Sequence, residues 1–505
     1  MHFTIIKIGL LVILRIGDTM RIYKNVDKNI EYIKNINHNS SDIVSRIITN
    51  NDIKIAYVYL ESVTSDDKVS EFLNKSIIGK DIKIIKKNLE SNIYNSHITT
   101  LKELDNIFYY LSSGFTVIFI DNYDICITVE TRMSLDRGVS EATSEPIVRG
   151  PKDSFTENNA INLGLIRKRI KDENLIFDEV IVGKRTKTKV SVAYIKDVVK
   201  LNSVIKVIDK IKNIDIDGIL DSGYIREFLY NQSSTVFPRT ISTERPDLAA
   251  SSLLEGKIVI LVENSPYVLI LPGLFIDFFH SPEDNYQKPI NASFLRLLRI
   301  LCFFITICVP SLYVALMTFN PEIIPDDLLI SLALQRDGVP FPTALEILIF
   351  VIIFEILRQA DIHSPTVSGS AMNIVGALVL GDAAVNAGIV SPIAIIIVAI
   401  TSICELVFYD IDMINAVRFW RIVFIIAALF LGIIGFVSIL FIFITKLASI
   451  VSFDTPYLTP ISPVSITGIK NSLLRIKRDK LFNRPKYLSN NTRKMVDREK
   501  IINNN

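Results

Sequence analysis

Apolar and polar residues are unevenly distributed along this chain, and the change divides it into two regions. Before Asn291 the sequence is rich in Lys, Asp, Glu and Asn, and its apolar runs are short. Between Ile300 and Thr445 long apolar runs dominate. Runs of that length favour helices surrounded by hydrocarbon. The pattern therefore predicts an α/β N-terminal soluble region followed by an α-helical transmembrane bundle.

The polar region is predicted to form two α/β subdomains, at residues 27–135 and 159–290. Ile53–Leu60 is β-branched and aromatic, which favours a strand, and residues 114–130 contain two strand-like runs around a polar turn, which favour a hairpin. The turn-rich stretch 136–158 is predicted to link the subdomains. The second subdomain is predicted to contain helices at 159–171 and 198–211, strands at 176–183 and 189–195, and a hairpin at 257–272.

The apolar region, residues 291–450, is predicted to contain four to six spans or re-entrant segments. Residues 300–319 carry no charge, and at a rise of ~1.5 Å per residue they cover the ~30 Å of a bilayer core. The other apolar segments are 345–357, 372–390, 393–408 and 422–445. Of these, 345–357 and 372–390 are short or polar, so we expect them to pack inside the bundle or to re-enter the membrane.

Basic residues near the spans predict which side the ends of the chain occupy. The tail, 451–505, is strongly basic, and the loop after the first span is acidic. The N-terminal region and the tail are therefore predicted to be cytoplasmic, which requires an even number of crossings. Five apolar segments are visible, so one is re-entrant or one crossing is missed. Four arginines flank the first and last spans and count as cytoplasmic signals: Arg296, Arg299, Arg418 and Arg421. Trp420, between the last two, is predicted to be an aromatic interface anchor.

The N-terminal extension, residues 1–26, has no assigned role in this prediction. Residues 1–14 are apolar, but the run is too short to span a membrane, and no small-residue cleavage pattern follows it. The sequence leaves both Met1 and Met20 open as the start of the protein.

Composition argues against several classes of function. The net charge is +2, which gives no strong basic field for nucleic acid. The four cysteines lack metal-ligand spacing and the five histidines are scattered, so no metal site is predicted. We find no Gly-rich phosphate loop, nucleophile elbow or paired catalytic acids. The sequence therefore predicts a protein that is not an enzyme, with no catalytic residue and no cofactor.

Ionisable residues within the apolar helices are the first candidate functional residues, because burying them costs several kcal/mol unless they are paired or face water. Glu346 and Glu355 are nine residues apart, which at ~100° per residue places them on opposite faces of one helix. Glu355 can pair with Arg358 one turn later. For both glutamates two roles remain open: a structural role, and a role in lining a pore. Glu405 ends its apolar segment, so an interfacial position is expected.

The segment 372–390 is the more informative candidate. Asp382 and Asn386 lie one turn apart on the same face, and the small residues around them allow helices to approach closely. Two interpretations remain open: a water-lined path across the membrane, and a tight polar helix contact. The small residues are Gly376, Gly381, Ala384 and Gly388.

Several long motifs resemble those of the A subunits of GerA-type spore germinant receptors. They are RGPKDSFTENNAINLGLIRKRI at 149–170, FPRTISTERPD at 237–247, SPEDNYQKP at 281–289 and VGALVLGDAAVNAGIVSP at 375–392. The similarity extends from about residue 27 to about residue 465. Some positions depart from the family pattern, which commonly has Gln and then Glu where this chain has Asp382 and Asn386. The usual Arg-Leu-Pro is here His363-Ser364-Pro365.

The resemblance implies a function that the residue patterns alone do not. Such proteins lie in the inner membrane of endospores and act with a transporter-like B subunit and a lipoprotein C subunit. The A subunit is expected to form homo-oligomers and an ion-conducting path. Two alternatives remain: a paralogue that acts beside the dipicolinic-acid channel, and a scaffold for partner subunits that conducts nothing.

Overall fold

The structure is a computed structural model that describes most of the chain after residue 19. The described residues are 20–50, 53–76, 98–133, 145, 147–230, 235–362, 381–477 and 483–489.

The first α/β subdomain is built on a five-stranded antiparallel sheet. Its strands lie in the order β1-β2-β4-β5-β3. The strand predicted at Ile53–Leu60 is β2, and the predicted hairpin is β4 and β5, so both predictions are confirmed. The elements are α1 (Val26–Ile36), β1 (Ile43–Asn50), β2 (Ile53–Leu60), α2 (Asp66–Ser76), β3 (Ile98–Leu101), α3 (Ile107–Ser112), β4 (Phe115–Ile120) and β5 (Cys126–Glu130).

The second subdomain repeats the topology of the first. Its antiparallel strands lie in the order β6-β7-β9-β10-β8, which is the same order when the strands are numbered within the subdomain. The two helices, two strands and one hairpin predicted here are confirmed to within a few residues. The elements are α4 (Asn159–Arg169), β6 (Leu175–Val182), β7 (Thr188–Ile195), α5 (Leu201–Lys212), α6 (Ser222–Leu229), β8 (Ile241–Thr243), α7 (Pro246–Glu255), β9 (Ile258–Val262) and β10 (Val268–Leu271).

One hydrophobic core joins the two subdomains. It contains Phe119 of the first sheet together with Phe177 and Ile270 of the second. Within it Arg167 of α4 is fully buried and binds both carboxylate oxygens of Asp42, at 3.0 and 3.1 Å. The guanidinium also lies 4.8 Å from the centre of the Phe177 ring. A charge is tolerated here because its counter-charge and an aromatic face replace the lost water.

The C-terminal part is helical and begins after two short 3₁₀ turns (Phe275–Phe279 and Pro282–Asn285). Among the described residues, α8 and α12 are long and apolar enough to cross a membrane, and α11 is a shorter apolar helix. Of the predicted segment 372–390, residues 381–386 are helical and 372–380 lie outside the described residues. The helices are α8 (Pro289–Phe319), α9 (Asp326–Gln335), α10 (Thr343–Ile362), α11 (Pro392–Glu405), α12 (Ile411–Ser449) and α13 (Ile466–Leu473).

Helix α12 folds back on itself at Gly432, so the single span predicted at 422–445 is wrong. The rings of Trp420 and Phe443 have centroids 4.9 Å apart, whereas a straight helix would separate these residues by ~35 Å. Gly432 has φ 59° and ψ −137°, a conformation that a side chain opposes. The two halves, 411–431 and 433–449, are therefore antiparallel, and a Cβ at Gly435 would overlap the carbonyl oxygen of Ala427.

The second subdomain and the described part of the tail lie at the same end of this bundle, which we call the near end. Phe319 at the end of α8 packs on Gly432, and this marks the far end. After α12 returns, the tail docks on the second subdomain, where Lys200 Nζ donates to the Tyr487 carbonyl at 2.6 Å and Ser489 Oγ donates to the Val198 carbonyl at 2.6 Å.

Candidate functional site

The polar surface predicted around Asp382 is partly described. Asp382 and Asn386 lie one turn apart on the helix 381–386, and both side chains are exposed on the single chain. The other side of this helix faces the bundle. A Cβ at Gly381 would contact Ile395 of α11 at 3.8 Å, and Ala384 packs against the hydrophobic core at the far end of the bundle. The two polar side chains thus occupy the outer surface of an apolar bundle.

Glu346 is fully buried at the far end of the bundle, where it joins α10 to the start of α11. One carboxylate oxygen accepts from the Ser391 hydroxyl at 2.6 Å and from the Ser391 backbone N–H. The other oxygen lies 4.0 Å from Arg336 Nε and has no hydrogen-bond partner within the described chain. The nearby Tyr313 hydroxyl also has no hydrogen-bond partner within the described chain. An acceptor at a helix N-terminus is well placed, because the unpaired N–H groups there favour negative charge.

Glu355 and Glu405 belong to one near-end charge cluster, which we define as Glu355, Arg358, Glu405, Arg418 and Arg421. Arg418 Nε lies 3.0 Å from Glu405 and 3.2 Å from Glu355. Arg421 pairs with Glu405, and the predicted pair between Glu355 and Arg358 is present. Glu405 is only 5% exposed because these ion pairs enclose it, and its expected interfacial position stays a prediction. The cluster joins α10, α11 and α12 at the near end.

The arginines that counted as cytoplasmic signals are buried in ion pairs. Arg296 and Arg299 of α8 both bind Asp284, which is fully buried, at 2.9 Å. Arg418 and Arg421 are buried by the near-end charge cluster. Trp420 packs between Phe424 and Phe443 in the core, so its interpretation as an exposed interface anchor is also wrong. These residues therefore make structural contacts. The remaining sequence signal for which side of the membrane each part occupies comes from the basic tail and the acidic loop.

Sequence reasoning missed Asp284 and Ser391 as partners of these charges. Asp284 closes a capping box with Ser281, and the Ser-Pro-Glu-Asp spacing is a recognisable signal for one. Ser391 carries no comparable signal, since its contact with Glu346 spans 45 residues. In the described part of the chain no group of three or more His, Cys, Asp or Glu side chains is arranged to hold a metal ion. The charged groups therefore hold helices together, and exposed Asp382 remains available to solvent or to a partner.

Fold and site together define a class: proteins with two α/β subdomains of one topology, joined to a bundle of apolar helices with paired internal charges. Residues 31–487 match the family described as Bacillus/Clostridium GerA spore germination protein, and the chain belongs to that family. The resemblance inferred from the motifs is thus confirmed.

Curated relatives match over nearly the whole chain. Spore germination protein KA of Bacillus subtilis (strain 168) is 36% identical over 462 residues, which cover 90% of this chain and 85% of that protein. Stage V sporulation protein AF of the same organism is 30% identical over 468 residues, covering 91% and 94%. A crystal structure of the N-terminal domain of the A subunit of the Bacillus megaterium spore germinant receptor GerK3 is 29% identical, covers 51% of this chain and 99% of that domain, and has a TM-score of 0.40.

Proposed function

We propose that this chain is the A subunit of a nutrient germinant receptor, that it spans the spore inner membrane several times, and that several copies form a gated ion path. It would act with a transporter-like B subunit and a lipoprotein C subunit. Its role would be conformational coupling and ion movement rather than catalysis. Support comes from the GerA family match and from relatives named as spore germination proteins.

The course of the chain supports a multi-pass arrangement with both ends on one side. Helix α8 runs from the near end to the far end, α10 returns from Glu346 to Glu355, and α11 runs from Ser391 back to Glu405. The two halves of α12 supply the crossing that the sequence pattern missed. The described helices would thus account for five crossings, and the predicted even number requires one more. The basic tail favours the cytoplasm for the near end.

The observation that carries the ion path is the exposed carboxylate of Asp382. An aspartate on a membrane helix is costly, up to roughly 2.5–3.5 kcal/mol at the helix centre on insertion scales, unless it meets water or a partner group. Within the described chain this side chain is exposed on a bundle of apolar helices. Copies arranged around a common axis would place the Asp382 and Asn386 faces on a water-filled path, where a carboxylate attracts cations.

Spores that carry Asp382→Asn test the path. The substitution keeps the shape and removes the charge, so we expect early cation release after a nutrient stimulus to slow by about tenfold, which corresponds to ~1.4 kcal/mol in the barrier. Glu322→Gln is the matched control, because this carboxylate is also exposed but lies in the loop after α8. Normal release from Asp382→Asn spores, at normal levels of the protein, would rule out a pore-lining role.

Stage V sporulation protein AF is named for sporulation and not for germination, so the similarity to it favours a second candidate, a paralogue that acts with the dipicolinic-acid channel; the other alternative is a scaffold for partner subunits that conducts nothing. Purified chain in liposomes separates the two. When the partner subunits are reconstituted with it, a conducting subunit gives cation flux in at least one ligand condition. A scaffold gives no cation flux in any condition.

A further inference from the structure

The near-end charge cluster has one more positive charge than its own carboxylates can balance. Arg358 and Arg418 each bind one oxygen of Glu355. Arg418 and Arg421 each bind one oxygen of Glu405. In the described part of the chain no other Asp or Glu side chain forms an ion pair with these three arginines. An arginine without a carboxylate of its own is costly where water has little access, so the cluster favours an anion from outside the chain.

Arg358 is the arginine of the cluster that an outside anion can reach. Its side chain is 28% exposed and that of Glu355 is 40% exposed, whereas that of Arg421 is 4% exposed. A guanidinium has several N–H donors, and among the described residues Arg358 uses one of them, on Glu355. Such donors suit phosphate oxygens as well as carboxylate oxygens. Arg358 can therefore bind a phosphate group at the surface of the bundle and keep its bond to Glu355.

The outer surface of the bundle changes from apolar to polar beside this cluster. On α10 the exposed Ile356 precedes Arg358 and the exposed Gln359. On the second half of α12 the exposed Ile444 precedes the exposed Lys446. In the membrane arrangement proposed above, such a change marks the level at which hydrocarbon ends and lipid headgroups begin.

Packing across the α12 hairpin places Arg418 at the same level. The rings of Trp420 and Phe443 have centroids 4.9 Å apart, so these two residues are level with each other. Arg418 lies two residues before Trp420, and Lys446 lies three residues after Phe443, each toward the near end. At ~1.5 Å per residue the two basic residues lie ~3 and ~4.5 Å from the ring pair along the helices, so they are nearly level. The cluster is therefore at the depth of the headgroups.

We propose that the near-end charge cluster binds the phosphate group of an anionic membrane lipid, with Arg358 donating to the phosphate oxygens. This inference rests on the membrane arrangement proposed above and adds the lipid class that the near end recognises. An anionic lipid supplies the negative charge that the cluster lacks, whereas a zwitterionic lipid brings a cation of its own. Because α10, α11 and α12 meet in the cluster, a bound lipid stabilises the near end of all three helices.

The test uses the full-length chain in liposomes of phosphatidylcholine and phosphatidylglycerol with the same acyl chains, one of the two lipids being brominated. Bromine atoms quench a nearby indole, and Trp420, the only tryptophan, is two residues from Arg418. We expect phosphatidylglycerol to associate with the chain about fivefold more strongly than phosphatidylcholine, which is the effect of one unbalanced basic residue beside an anionic lipid.

Two outcomes separate this proposal from the membrane arrangement on which it rests. A chain that floats with the liposomes but is quenched equally by the two brominated lipids would overturn the lipid site and leave the membrane arrangement standing. A chain that does not float with the liposomes would contradict the membrane arrangement itself.

Variants locate the effect. Arg358→Gln leaves two arginines for two carboxylates, so the preference for phosphatidylglycerol should disappear, and Arg358→Lys should retain it. Glu355→Gln adds a second unbalanced positive charge and should strengthen the preference, which a purely structural role of the cluster does not predict. Lys446→Gln is the matched control, because it removes an exposed positive charge at the same level. An equal loss in Lys446→Gln and Arg358→Gln would show a general basic belt in place of a site.

Inorganic phosphate distinguishes a lipid headgroup from a free anion. Replacing chloride by phosphate at equal ionic strength should leave the preference for phosphatidylglycerol unchanged, because the acyl chains hold the lipid phosphate at this depth. Loss of the preference in phosphate but not in chloride would identify the free anion as the occupant and would refute the lipid assignment.

Discussion

A buried charge destabilises a protein unless an opposite charge and hydrogen bonds accompany it. Arg167 meets this condition through Asp42, a residue of the other subdomain. Asp284 meets it through two arginines of α8. Each pair connects parts of the chain that belong to different elements, so at the scale of single residues the charges add specific contacts where the subdomains and the bundle are joined.

Arg167→Met should destabilise the chain by about 3–5 kcal/mol, because it leaves Asp42 buried without a counter-charge. Chemical unfolding of the detergent-solubilised chain, followed by circular dichroism, measures the change. The control is Lys54→Met, which breaks a pair with Asp27 that is about half exposed on both sides, and it should cost less than ~1 kcal/mol. Equal effects of the two substitutions would show that the buried pair has no special role.

At the scale of elements, Gly432 makes α12 a hairpin. A Cβ at this position would lie 2.7 Å from Cβ of Phe319, at a positive φ that side chains seldom adopt. Two helices therefore exist in place of one because of a single residue and the close packing around it.

Gly432→Ala should lower the thermal stability strongly and should shift the emission of Trp420, whose ring packs on Phe443 across the hairpin. Backbone strain alone accounts for about 1–3 kcal/mol, and the overlap with Phe319 adds to it. Gly338→Ala separates the two causes, since Gly338 also has a positive φ of 83° but no atom within 4 Å of an added Cβ. If both variants lose the same stability, contact at the hairpin is not the cause.

The sequence allowed the α/β class, most strands and the apolar helices to be predicted, because hydrophobic periodicity records burial over short distances. The pair Glu355–Arg358 was predictable because it lies within one helical turn. The hairpin at Gly432 was missed since both halves are equally apolar and no polar turn separates them. The partners of Glu346 and Glu405 were missed because no local pattern relates residues 13 to 45 positions apart.

At the scale of the whole molecule, the tail holds the α/β region against the bundle. Leu488 is 4% exposed, and its neighbours Tyr487 and Ser489 bond to Lys200 and Val198. Tyr487 and Leu488 also line a cavity of about 200 Å³ between the second subdomain and the bundle. The basic tail thus has a structural role in addition to its predicted role as a topology signal.

A chain that ends after Lys477 should unfold at a lower temperature than one that ends after Ser489. The shorter form loses the buried leucine, worth about 1.5–3 kcal/mol, and the hydrogen bonds beside it. The longer form keeps every contact that the structure describes for the tail, so it controls for the loss of the basic residues after Ser489. Thermal unfolding of both forms checks this, and coincident curves would mean that the tail does not stabilise the joint.

The core common to the two sheets has a consequence for how the protein is made. The first sheet is complete at Glu130, yet Arg167, Phe177 and Ile270 must leave the ribosome before its buried face is covered. Ile270 emerges only shortly before α8 begins at Pro289. In the proposed membrane arrangement, folding of the first half therefore competes in time with insertion of α8, and a slow step in either one leaves a nascent chain with an uncovered sheet beside the membrane.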